Sequence, residues 1–160
     1  MKILELLAKF CSVLSGVLLT FITLMTCYSL IGRNTTGDTI VGDFELTGVA
    51  TGAAIALFMP LCQLKHENII VDFFTTNASE QTQSKLDAFG TLLYTLVMGL
   101  VAWRVAVGGI DIKANQETSM LMALPLWIPY MLMVPGLVLC TVIGFVQTLQ
   151  HLGLIAKENV

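Results

Sequence analysis

Residues 42–74 read GDFELTGVATGAAIALFMPLCQLKHENIIVDFF, and the change of character along this stretch decides the fold. It opens on two acids, Asp43 and Glu45, and then carries no charge from 46 to 64. That run is about 19 residues, close to the roughly 20 that a helix rising about 1.5 Å per residue needs to cross a bilayer. It ends in a charged knot, Lys65-His66-Glu67, followed by Ile69, Ile70, Val71, Phe73 and Phe74 around one acid, Asp72. Ile69 and Ile70 precede Phe73 and Phe74 by one helical turn, so the two pairs share a face. The pattern predicts a spanning helix that feeds an amphipathic foot lying on the membrane surface between the second and third spans.

Composition agrees. Of 160 residues, 56% are hydrophobic and only 12% charged, against about 25% charged in an average soluble domain. So little charge cannot cover a water-facing surface of this size, so lipid must cover it. A net charge of −3 without a basic block argues against nucleic acid as a partner. Cys11, Cys27, Cys62 and Cys140 all fall inside apolar runs without metal-ligand spacing. They read as small buried hydrophobes, not as a disulfide framework or a zinc site.

Outward from the deciding stretch, three further runs are long enough to span. Ile3, Leu4, Leu6 and Leu7 alternate with Lys2, Glu5 and Lys9 as a short amphipathic lead. Residues 10–32 follow without charge, longer than the apolar core of a signal peptide and read as a retained first span. A turn-rich loop with Arg33 leads to the second span, 46–64. The third, near 88–108, reaches full length if Arg104 extends its head to the interface. Residues 118–150 are uncharged for longer than one crossing requires. Pro125 and Pro129 suit the opening of a helix better than its interior, which puts the fourth span near 126–149. The expected fold is one all-α, four-helix membrane domain.

Two ridges of small residues, Gly48/Gly52/Ala56 and Gly136/Cys140/Gly144, recur at one-turn spacing and let another helix approach closely. Pro60 should kink the second span and release a backbone carbonyl that needs another partner. With the N-terminus inside, cytoplasmic segments hold Lys2, Lys9, Lys65, Lys85 and Lys157, and external loops hold Arg33, Arg104 and Lys113. Trp103, Trp127 and Tyr130 then form an outer aromatic belt, and both termini face the cytoplasm.

Chemistry is sparse. No phosphate-cradling GxxxxGK[ST] occurs, and no nucleophile–base arrangement stands where substrate could reach it. No span carries an acid or base near its middle, where ion-coupled carriers place theirs. That weighs against a small four-helix exporter, a first alternative. His66 and His151, at similar depth, carry a second: a haem- or quinone-linked anchor. Solvated histidines at helix ends are the simpler reading, and no cofactor is expected. Asp43 and Glu45 have two readings as well, favourable charge at a helix N-terminus and an external docking surface shared with Arg33.

The joint order of these fragments resembles the small membrane subunit of tripartite ATP-independent periplasmic (TRAP) transporters. The fragments are Arg33 after the first span, GDFEL at 42–46, Met59-Pro60-Leu61-Cys62-Gln63-Leu64, the foot from Ile69 to Asp72, and Pro125-Leu126-Trp127-Ile128-Pro129-Tyr130. Where many relatives carry a histidine ahead of the acid of the foot, this chain has Asn68. The resemblance implies a non-catalytic, multi-pass protein of the bacterial inner membrane. It would brace a large membrane subunit that takes up an organic acid on an ion gradient, with sodium the expected ion. A periplasmic solute-binding protein would deliver the substrate. On this view Gly48, Gly52, Ala56, Gly136 and Gly144 are candidate packing positions toward the large subunit. Arg33, Asp43 and Glu45 are candidate docking residues for the binding protein, and the foot (Ile69, Ile70, Asp72, Phe73, Phe74) meets lipid.

Overall fold

The computed structural model describes residues 2–35, 37, 40–65 and 80–154. They form four helices: α1 (Lys2–Thr35), α2 (Asp43–Leu64), α3 (Glu80–Ala114) and α4 (Trp127–His151). All four are long and apolar enough to cross a membrane. The amphipathic lead is continuous with α1. At 34 and 35 residues, α1 and α3 run about 50 Å, more than a bilayer core of about 30 Å, so they tilt or project beyond it. The predicted foot, 69–74, lies outside the described residues.

The helices stand side by side in the order α1, α2, α4, α3. Helix α1 packs on α2, α2 on α4 and α4 on α3, while α1 only grazes α4. Among the described residues α3 packs along α4 and approaches α2 only through the side-chain cluster around Ala56, Met98 and Ala102. Large side chains such as Phe10, Val17 and Leu24 on α1, and Phe89, Leu96 and Trp103 on α3, are exposed. Water would not tolerate apolar surface on this scale, so hydrocarbon or a partner covers it.

The central joint connects α2 to α4, which run parallel. Pro60 sits inside α2 and removes the N–H that would bond the Ala56 carbonyl one turn earlier. Gly136 of α4 faces that carbonyl. A Cβ on Gly136 would stand 2.3 Å from the Ala56 oxygen, 2.8 Å from its carbon and 3.0 Å from Leu57 Cα. Backbone therefore lies on backbone, and only glycine fits. The approach brings the Gly136 Cα hydrogens toward the released oxygen, a weak compensation of the kind found at close helix crossings. Ala56, Leu137 and Cys140 are buried around it with Met98 and Ala102 of α3. A second, smaller cluster joins Ala8, Leu64 and Ile143 where α1 meets α4.

The small ridges are divided among neighbours within the chain. Gly52 faces Met133, and Gly144 faces Thr95 and Tyr94 of α3. Nothing lies within 4 Å of a Cβ at Gly48. Along the antiparallel α3–α4 pair, Gly99 meets Thr141 and Gly109 meets Tyr130 and Met131. Helix α4 opens at Trp127, with Pro129 in its first turn and Pro125 just before it. A further proline, Pro135, lies inside α4 next to the joint.

Gly136→Ala should destabilise the chain by about 1–3 kcal/mol, the usual cost of overpacking. Gly48→Ala should be neutral or slightly stabilising, by up to about 1 kcal/mol from helix propensity. Thermal unfolding of both variants in detergent checks the contrast.

Candidate subunit interface and docking surface

Polar side chains inside lipid need partners, and here they find them within the chain. Threonine hydroxyls at 20, 23, 91, 95, 141 and 148 each donate to the carbonyl one turn earlier in their own helix. Among the described residues no buried side-chain nitrogen or oxygen lacks a hydrogen-bond partner. What remains for contacts between helices is a short series of bonds, spaced along the length of the row.

At the end opposite the N-terminus of α1, the two acids of the deciding stretch are both engaged. The Ser29 hydroxyl of α1 donates to Asp43 Oδ2, and Thr26 and Thr47 hydroxyls lie 3.4 Å apart just below. Glu45 reaches across to the connection between α3 and α4. Its Oε1 accepts from the backbone N–H of Met120 at 3.1 Å and of Leu121 at 3.2 Å. That connection is an ordered hairpin-like loop: Ser119 N–H donates to the Leu124 carbonyl and Leu126 N–H to the Glu117 carbonyl. Thr118 and Pro125 pair across it. Gly42, with φ of 79°, opens α2 in the left-handed conformation. A Cβ there would stand 2.2 Å from Met122 Cγ, so two constraints select glycine. The loop's tip is apolar, with Met120 98% and Phe44 beside α2's start 87% exposed. Lys113 stacks over the Trp127 ring at 4.7 Å and closes the α3–α4 side. Arg33 ends α1 with an exposed side chain.

Mid-membrane contacts are fewer. Buried Ser15 of α1 donates to the Ala54 carbonyl of α2 at 2.7 Å. The Tyr94 hydroxyl and the Cys140 thiol lie 2.9 Å apart between α3 and α4. At the opposite end, Gln63 and Gln147 form a buried reciprocal clasp between α2 and α4. Gln63 Nε2 donates to Gln147 Oε1 at 2.7 Å, and Gln147 Nε2 donates to the Gln63 carbonyl at 2.8 Å. Sequence reasoning alone does not single out these glutamines. The signal lies in their position: each is an amide within the last turn of an apolar run.

Among the described residues no group of three or more His, Cys, Asp or Glu side chains could hold a metal ion. His66 lies outside the described residues, and His151 closes α4, half-buried. The four cysteines are free thiols, but only Cys140 is buried as expected: Cys11 and Cys62 are half-buried and Cys27 is exposed on the apolar surface of α1. Nothing assembled among the described residues brings a nucleophile to a base in a substrate-sized cavity. An apolar crevice of about 210 Å³ does open between α1, α2 and α4 beneath the hairpin, walled by residues such as Leu18, Val49 and Leu132.

A row of apolar helices, pinned internally by contacts between neighbours, defines a multi-pass membrane protein. The family described as "Tripartite ATP-independent periplasmic transporters, DctQ component" matches residues 22–153. The chain belongs to this family and is a small, non-catalytic membrane subunit of a TRAP transporter. No curated protein and no solved structure matches it.

Replacing Gln63 alone by Leu removes its donation to the buried Gln147 Oε1, at about 1–3 kcal/mol. The double variant Gln63→Leu/Gln147→Leu should recover part of that loss. A double-mutant cycle on thermal unfolding should return a coupling of about 0.6–1.7 kcal/mol, the range for membrane interhelical bonds.

Proposed function

We propose that this subunit stands in a bacterial inner membrane with both termini in the cytoplasm. There it braces a large membrane subunit for ion-gradient-driven uptake of an organic acid. The ion is sodium, and a periplasmic solute-binding protein delivers the substrate. The single observation that carries the bracing role is internal saturation. Buried polar groups of the described residues are paired within the chain, and among the described residues no acid stands near the middle of a span, where the one charged side chain is the exposed Arg104 of α3. Such a body can offer shape and stiffness to a moving neighbour, but no ion path. The lysines at the end carrying Lys2, Lys9, Lys65 and Lys85 support the orientation.

The large subunit meets the row along one of its broad, exposed apolar faces. Gly48, with open space around it, is the ridge position best placed to serve that contact. Gly52, Ala56, Gly136 and Gly144 act on it indirectly, by setting how closely the row itself is packed. The foot at 69–74 rests on lipid. On the periplasmic side Arg33 and the apolar hairpin tip form the surface offered to the binding protein. Asp43 and Glu45 hold that surface in shape from beneath.

Two outcomes test this reading. Vesicles holding this chain alone should show no organic-acid uptake, while vesicles with the large subunit, the binding protein and an inward sodium gradient should. Uptake by the chain alone would sink the bracing role. Glu45→Ala should speed amide hydrogen exchange at Met120 and Leu121 and lower binding-protein-dependent uptake, with the amount of assembled membrane complex unchanged.

A further inference from the structure

Where α3 begins and α4 ends, the two helices diverge around a crevice of about 270 Å³. Its floor and sides are apolar, from Phe89, Leu92 and Leu152, and its rim carries Lys85 and His151. Phe89 and Leu152 are both exposed, so the crevice opens sideways to hydrocarbon. The buried Ala88 keeps α3 close to α4 at this depth. Thr148, also on the lining, already donates to the Gly144 carbonyl. Among the described residues the lining holds no acid. A cation and an imidazole above a greasy slot, at the depth where a span leaves the membrane, match an amphiphile with an anionic head and apolar tails.

We propose that this crevice binds one anionic phospholipid, its phosphate between Lys85 and His151 and an acyl chain along Phe89 and Leu92. Lys85 supplies charge on a flexible stem, and the His151 ring lies on the same rim. A free phosphate satisfies the rim but leaves the apolar slot unfilled, whereas a zwitterionic lipid fills the slot but gains little from the rim. The site requires only that the chain spans a membrane and does not depend on the transport reading.

The test places the full chain, carrying Phe89→Trp, in bilayers with a small fraction of tail-brominated phosphatidylglycerol or tail-brominated phosphatidylcholine. Quenching is read as the difference from the same chain without Phe89→Trp, because Trp103, exposed near the middle of α3, and Trp127 also contribute. Apparent affinity at position 89 should favour phosphatidylglycerol about fivefold, the effect of one interfacial cation. Lys85→Gln should abolish that preference, Lys85→Arg should keep it, and His151→Ala should reduce it. A reporter at Phe58→Trp, on α2 and away from the crevice, should show no preference, which localises the effect even if Lys85→Gln folds poorly. Equal quenching by the two lipids at position 89, or the same preference at position 58, would overturn the site. Loss of the preference on adding inorganic phosphate would overturn the lipid assignment in favour of a free anion.

Discussion

In hydrocarbon a helix must satisfy its own backbone, and any carbonyl it releases has to be met by a neighbour. The whole row rests on one such release. Pro60 frees the Ala56 carbonyl of α2, and Gly136 of α4 lies directly on it. No side chain intervenes, so the separation of the two central helices is fixed by backbone contact. The outer helices then have defined surfaces to join: α1 lies on α2 and α3 lies on α4.

The polar contacts are arranged along the membrane normal in a way that suits a rigid part. Ser29–Asp43 and the Glu45 bonds fasten one end, Ser15–Ala54 the middle of α1–α2, and the glutamine clasp the other end of α2–α4. Each bond is modest on its own. Their spacing matters more, because rotation of any helix about its axis would break a contact at more than one level. Resistance to deformation of this kind is what the bracing role proposed above requires.

Much of this is legible in the residues, for reasons that differ by element. Four apolar runs announce four helices because hydropathy is local information. The placing of Pro125 and Pro129 at the start of α4 follows from ring geometry alone. Pro60 signals that a carbonyl needs company, yet the identity of that company does not follow. Gly136 lies on the last helix, and two parallel helices far apart in sequence leave no periodic trace of which faces meet. The small ridge of α4 reads as one surface and is two, with Gly136 against α2 and Gly144 against α3. Glu45 by its charge suits a helix end or a partner. Its partners are backbone N–H groups of the α3–α4 loop together with the Ser119 side chain, and a backbone N–H is a donor that nearly every residue carries.

The order in which the helices stand differs from the order in which they are made, and that has a bearing on biogenesis. Helices α1 and α2 can zip together as soon as both have left the translocon. Helix α3, which then follows, has its main packing surface on α4 and little of its own on that hairpin. Only the arrival of α4, the last of the four to be synthesised, supplies the wedge that unites them. Until α4 inserts, the surfaces that join α2 to α3 are missing and the carbonyl at Ala56 is uncovered, so the row is completed by the fourth of these crossings.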